Sequence, residues 1–367
     1  MKNTFGNNIS VTLFGESHGP MIGVVLDGLA PGICVDERSI EKALYMRRPH
    51  GNVSTARREK DSFSIVSGVY NGKTTGTPLT ILIPNEDTKS GDYELSGFRP
   101  GHADYTATVK YRGFEDPRGG GHFSGRITAS LVAAGAVIRD ALEKKGILTG
   151  THIVRCAGVG DRHFSEDPDQ LTDEIGALNE ALFPVLDPGK EEVMKAAIEK
   201  AALEGDSVGG ILETAVTGLP AGAGEPWFDT VEGVISHAVF SVPGIKGIEF
   251  GKGFGICDMK GSEANDPFTS DRGRIVTVSN YNGGINGGIT NGMPVIFRCA
   301  VKPTPSIAKA QKTVDRETFE DTEIEIKGRH DPCIVHRARA VVDSVTAIAV
   351  ADLLCGRFGT DWLGCGL

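Results

Sequence analysis

The chain has no Cys-x-x-Cys pair anywhere in its 367 residues. Its 7 cysteines are odd in number and scattered, at positions 34, 156, 257, 299, 333, 355 and 365. That spacing argues against a zinc site or a disulfide framework and suits a reducing, cytoplasmic compartment. No apolar run reaches the ~20 residues needed to span a bilayer, so no membrane partner is expected. Residues 1–20 carry Lys2, Glu16 and His18 and lack a long apolar stretch, so no secretion signal is predicted. Positive charge is in the minority: 38 Lys and Arg against 48 Asp and Glu, a formal charge of −10. That balance argues against nucleic acid as a general partner. No repeat of fixed period appears and no linker separates independent halves, which predicts one large domain over 1–367.

What the chain does have is glycine, 49 residues of it, concentrated in a few loops. The stretch that organises the rest is Asp116–Arg126, with Gly119, Gly120 and Gly121 in a row. Three consecutive glycines enter backbone conformations closed to other residues. Ser124 is a good N-cap for the apolar run that follows, read as a buried helix from about Ser124 to Lys145. A glycine turn feeding a helix start aims N–H groups at one spot, where an anion can sit. Arg118 and Arg126 flank that spot. A tight turn before a core helix is the plainer alternative.

Two other loops carry histidine beside glycine. Strands at Ser10–Phe14 and Met21–Gly28 bracket Gly15-Glu16-Ser17-His18-Gly19, and Arg99-Pro100-Gly101-His102-Ala103-Asp104 follows a polar loop over 85–97. Histidine suits proton transfer near neutral pH. Arg47, Arg48, Arg57, Arg58 and Lys60 cluster in an otherwise acidic chain, and the guanidinium fork binds phosphate or carboxylate bidentately. Asp36 reads as the cap of a helix just before them. Further strands are predicted at 62–65, 79–83, 154–159, 209–216, 245–251 and 295–301, with a hairpin signal at Asn71-Gly72. Helices are predicted at 190–203, 231–240 and 335–354. Residues 161–206 are acidic and read as solvated helical scaffold. The glycines of 281–292 fit either a hairpin-rich loop or amides packed on a flat ring. Asp331, directly before the last helix, reads either as its cap or as a functional carboxylate.

The run GESHGPMIGVVLDGLAPG at 15–32 resembles the first signature of the chorismate synthase family. The resemblance recurs in order at RPGHAD (99–104), GGGHFSGRITA (119–129), DSVGGILE (206–213), GGINGGITNGM (283–293), KPTPSI (302–307) and GRHDPC (328–333). It implies an α+β fold of the family's own type, a β-α-β sandwich, assembled as a homotetramer. It implies conversion of 5-enolpyruvylshikimate 3-phosphate to chorismate and phosphate by an anti-1,4-elimination that needs reduced FMN without net redox change.

Carried over by position, His18 matches the histidine that assists the departing phosphate, and His102 the second catalytic histidine. Asp331 matches the aspartate thought to assist at flavin N5, and Ser17 and Ser124 match serines near the reacting groups. The flavin positions are His122, Phe123, Ser124, Pro243, Gly244, Gly287, Lys302, Pro303, Thr304, Pro305, Ser306 and Arg329. Arg47 matches an arginine assigned to NADPH contact, and Arg48, Arg99 and Arg126 are candidates for substrate oxyanions. The chain departs from the family pattern at His122 and Asn52, where relatives carry arginine, and at Asp343, where they carry glutamate. Two other classes compete with the lyase. A flavin oxidoreductase would consume NADPH, and an anion-binding protein would use the arginines alone. Neither releases phosphate.

Overall fold

Two antiparallel five-stranded sheets enclose a layer of helices. The structure, a computed structural model, describes residues 2–51, 53–54, 59–86, 96–271, 273–326 and 331–364. The readings on Asn52, Arg57, Arg58, Arg329 and His330, and on most of the 85–97 loop, lie outside them.

The first sheet has the order Thr4–Phe5, Ser10–Gly15, Met21–Asp27, Leu79–Pro84, Ser64–Ser67. In the register, Val24 stands opposite both Leu13 and Ile81. Alternation puts Ile22, Val24, Leu26, Leu79, Ile81 and Ile83 on one fully buried face. Burying each such side chain stabilises by about 1.5–3 kcal/mol. The second sheet runs Ile245–Phe250, Val295–Val301, Gly210–Thr217, Leu148–Cys156, Val159–Gly160. The helices are α1 (Glu37–Arg47), α2 (Asp104–Tyr111), α3 (Thr128–Glu143), α4 (Pro168–Leu178), α5 (Pro188–Leu203), α6 (Val231–Phe240), α7 (Gly261–Ala264) and α8 (Val335–Phe358). Helices α3 and α8 pack on each other between the sheets, with α1 beside α3 and α6 beside α8. Their approach is close because Gly135 faces Ser344: a methyl at Gly135 would lie 2.3 Å from the Ser344 Cβ. This layered α+β arrangement agrees with the predicted class.

The predicted elements are present, with differences at their ends. Asp36 caps α1 by accepting from the Arg38 N–H at 2.9 Å. Asn71 and Gly72 form the expected turn, both with positive φ. The strand read at 154–159 begins at Leu148 instead. Its first half, Thr149-Gly150-Thr151-His152, is polar in sequence yet buried. Thr151 donates to the Asp343 carboxylate at 2.6 Å, so its hydroxyl is satisfied inside the core. Asp343 in turn accepts from Arg339 at 3.1 Å. The helix read from Ser124 starts as a 3₁₀ turn, Gly125–Ile127, before α3 proper.

The 161–206 region is helical as expected, but its first residues are not merely solvated. His152 is fully buried, 3.0 Å from Glu213 and 3.7 Å from Asp161. His163 and Arg298 also reach Glu213, at 2.7 Å and 3.3 Å. Burial alone would lower His152, but the two carboxylates raise it above its ordinary value. Burial opposes Glu213 ionisation as well, yet its histidine partners hold it below the carboxylate range. Glu213's contribution is therefore present above the unfolded value of about 4.5 and is lost as pH falls from there through its lowered folded value. His152's is present below about 6.5 and is lost as pH rises through its raised value. Glu213→Gln is therefore expected to destabilise by about 3–5 kcal/mol, because removing one partner leaves buried charge uncompensated. Denaturant midpoints at neutral pH check this; a shift under about 0.5 kcal/mol, the size of an ordinary surface change, would show the seam to be passive.

Candidate active site

The glycine triplet lies between the two histidine loops. Gly119, Gly120 and Gly121 have φ of 60°, 83° and 52°, a left-handed run that side chains resist. A Cβ at Gly119 would lie 2.4 Å from His18 Nε2, and one at Gly120 would lie 3.4 Å from His102 Cε1. The run therefore serves close approach: each histidine ring rests on bare glycine backbone. The Ser17 N–H donates to the Gly121 carbonyl at 3.1 Å, and His122 Nδ1 lies 2.8 Å from the Gly15 carbonyl oxygen. These bonds lock the 15–20 loop to the triplet.

Both histidines open onto one cavity of about 780 Å³. That volume is within the roughly 300–1,000 Å³ range of small-molecule sites. Arg47, Arg48, Arg99, Arg126, Lys246, Lys302 and Arg337 line it, against the carboxylates Glu59, Asp61 and Asp331 among the described residues. An excess of cationic groups inside an acidic chain marks a pocket for a multiply charged anion. Apolar wall is supplied by Leu13, Phe123, Leu131, Val242, Ile245 and Val341. Among the described residues, no group of three or more His, Cys, Asp or Glu is placed to hold a metal ion.

The arginines divide by what holds them. Arg126 is buried; its guanidinium is paired with Asp61 and donates to Asn85 Oδ1 at 2.9 Å and to the Pro84 carbonyl at 2.9 Å. Arg99 forks onto Asp104 with two 2.7 Å bonds. Arg47 is buried, 3.6 Å from Asp61 and 3.4 Å from the Gly125 carbonyl. Arg48 is the more open one, its Nε 3.4 Å from Asp61. Burial would raise Asp61, but Arg47, Arg126 and Arg48 together hold it below the usual carboxylate range. Asp61 has φ 51°, a strained conformation for a non-glycine residue, held by these ion pairs.

Of the other residues read from the sequence, Phe123, Ser124, Pro243, Gly244 and the Lys302–Ser306 loop all line the cavity. Lys302 Nζ donates to the Gly101 carbonyl, tying that loop to the His102 loop. Ser124 accepts from the Arg126 N–H at 3.2 Å. Ser17 Oγ and Thr304 Oγ1 are buried with no hydrogen-bond partner among the described residues. Asp331 lines the cavity, and its carboxylate is paired with Arg337. It does not cap α8: the cap position is Ile334, which makes no side-chain bond. The structure does not bring Gly287 to this cavity. It lies in the turn between Ile285–Asn286 and Ile289–Thr290. Arg118 is held outward by Asp116 at 2.7 Å and does not line the cavity either. Asp61, Asp104 and Arg337 escaped the sequence reading; the sole signal was Asp104's place in the RPGHAD stretch.

Two sheets around a helical layer, with a cationic cavity lined by the buried His18 and the half-buried His102, fit an enzyme with a small-molecule substrate. The sequence model of the chorismate synthase family matches residues 9–355. The chain is 47% identical to the chorismate synthase of Korarchaeum cryptofilum over 95% of its length and 96% of that protein's. It is 46% identical to that of Thermococcus gammatolerans, over 96% and 97%. A crystal structure of chorismate synthase superposes with a TM-score of 0.77 at 28% identity, covering 97% of this chain and 94% of that one. The chain belongs to the chorismate synthase family, a family of lyases. No helix among the described residues is long and apolar enough to cross a membrane.

Arg48→Ala is expected to weaken binding of a phosphorylated anion by about 1.5–3 kcal/mol, the worth of one charge-assisted bond. Isothermal titration with the anion checks it. An unchanged Kd would make Arg48 a mere partner of Asp61.

Proposed function

We propose that the chain converts 5-enolpyruvylshikimate 3-phosphate to chorismate and inorganic phosphate by anti-1,4-elimination with reduced FMN, the seventh step of the shikimate pathway toward aromatic amino acids. The observation that carries this reading is the seating of His18 and His102 on adjacent glycines at the wall of one cationic cavity. The substrate brings one phosphate and two carboxylates, and Arg48, Lys246 and Lys302 are the side chains that would gather them. In the elimination one C–H and one C–O bond break and one C=C bond forms. The C–H electron pair forms a new π bond, the C=C already between the two sites shifts by one position toward the carbon that carries the phosphate, and phosphate leaves with the C–O pair, so no electrons are gained or lost overall. His18 protonates or hydrogen-bonds the departing phosphate. Asp331 presents a carboxylate oxygen at which a proton can be held.

The residues present fit FMN. The cavity has both an apolar wall and an orphaned buried hydroxyl, Thr304 Oγ1, in a proline-stiffened loop. His122, Phe123, Ser124, Pro243, Gly244 and Lys302–Ser306 would hold it; Gly287 and Arg329 are assigned on the family pattern alone. Reduced FMN, when bound, supplies transient electron density to the elimination and is itself unchanged at the end. NADPH enters this reading only as an indirect reductant, since Arg47, matched to it by position, is tied to Asp61 and Gly125. The reading extends to a cytoplasmic homotetramer, supported by large exposed apolar side chains such as Phe114, Trp227 and Phe228. An anaerobic assay with photoreduced FMN tests the whole. Many phosphates released per flavin, with the flavin still reduced, is the expected result. Stoichiometric flavin oxidation, or no phosphate, overturns it.

A further inference from the structure

We propose that Asp104 is a positioning residue, which fixes the ring of His102 so that Nδ1 carries the proton and Nε2 is the atom offered to the cavity. This rests on the functional reading above only for what His102 then does.

Asp104 is the first residue of α2, and its side chain is 8% exposed. Its Oδ1 lies 2.7 Å from His102 Nδ1 and 2.7 Å from Arg99 Nη2. Its Oδ2 accepts from Arg99 Nε at 2.7 Å and from the Arg99 backbone N–H at 3.2 Å, with Arg316 Nη2 3.4 Å away. Arg316 arrives from the turn between strands Gln311–Val314 and Asp321–Ile324. It is itself anchored: its backbone N–H donates to the Ser96 carbonyl at 2.9 Å, and its guanidinium lies 4.9 Å from the Phe98 ring centre. Both carboxylate oxygens are thus occupied by three residues from two places in the chain, which leaves the carboxylate one orientation. Burial would raise the Asp104 carboxyl, but Arg99 and His102 hold it far below the ordinary range.

An ionised carboxylate only accepts, so the ring nitrogen facing it must donate. That sets the tautomer of neutral His102 and leaves the Nε2 lone pair on the other side. The Cε1–Nε2 edge is the one that lies against Gly120, where a Cβ would be 3.4 Å and 3.5 Å from those atoms. The same carboxylate holds Arg99 in its fork. One side chain therefore orients a proton-transfer group and a guanidinium on the same cavity wall. Partners that orient a metal-ligating imidazole typically matter 10- to 100-fold, and an imidazole held for proton transfer depends on its orientation in the same way.

Asp104→Asn keeps the shape but presents only one acceptor oxygen and adds two N–H donors. Its kcat is expected to fall about 10- to 100-fold, with FMN binding retained. In a His102→Ala background the same change is expected to cost less than about threefold, because coupled residues are not additive. An equal loss in both backgrounds would overturn the proposal in favour of a role in holding α2 and the hairpin together. A second measurement needs no Asp104 variant and no activity. In the wild-type protein labelled with ¹⁵N-histidine, the His102 signals, identified by their loss in His102→Ala, are expected to show a protonated Nδ1 and a bare Nε2 at a pH where the ring is neutral. A protonated Nε2 in the neutral ring would overturn the clamp, whether or not the chain releases phosphate.

Discussion

His18→Ala is expected to lower kcat by about 10²- to 10⁴-fold, the usual worth of a positioned proton donor, while FMN still binds. The reason is geometric. His18 is nearly buried, its ring rests on Gly119, and its loop is pinned by the Ser17-to-Gly121 backbone bond. Alanine removes the imidazole and leaves those bonds intact, so the loss should appear in turnover rather than in folding. Gly119→Ala should imitate it without touching the histidine. The new methyl would meet His18 Nε2 at 2.4 Å, at a φ of 60° that alanine resists, so the ring must move. His102→Ala is expected to fall in the same range. Steady-state kinetics with reduced FMN, beside a flavin titration, checks all three. A near-normal kcat for either histidine variant removes that residue from the chemistry.

Asp331→Asn is expected to give a folded protein that binds flavin and substrate but turns over about 10²- to 10⁴-fold more slowly, because an amide cannot take up a proton. Capping cannot explain such a loss, since α8 begins beyond Asp331 and its cap position is Ile334. The backbone at this point is held independently, by the Val208 N–H donating to the Pro332 carbonyl at 2.8 Å. Its carboxylate is also paired with Arg337. A partly exposed ion pair contributes on the order of 0.2–1 kcal/mol. Arg337→Met separates the two roles: it breaks the pair and keeps the carboxylate. If Asp331→Asn and Arg337→Met lose equal activity and equal stability, Asp331 is an anchor for Arg337 and nothing more. Thermal melts and kcat on both variants decide it.

Much of this was legible in the residue order. Alternation in Met21–Asp27 and Leu79–Pro84 marks a face to be buried, and the apolar runs of α3 and α8 mark helices covered on all sides. Glycine beside histidine at 15–19, 101–102 and 119–122 marks the three loops that meet at the cavity. Those signals are local: periodicity, capping and backbone freedom act over a few residues. The ion pairs are different in kind. Asp61 reaches Arg126 across 65 positions and Glu213 reaches His152 across 61. Asp104 is joined by Arg316 from the far end of the chain. Composition shows the charges but not their partners, so Arg126 and Arg118 read alike in sequence. One is locked inside by Asp61 and the other turned outward by Asp116.

By itself, then, the sequence determined the class of fold, the loops that carry chemistry, and the gathering of cations in an acidic chain, because each rests on residue type and short spacing. Only the tertiary structure decided which arginines face the cavity, that Asp331 pairs with Arg337 instead of capping α8, and that Gly287 stands away from the site. Those outcomes depend on which distant carboxylate comes within about 4 Å of which cation, the distance at which Coulomb attraction in a partly buried site outweighs the freedom of a long side chain.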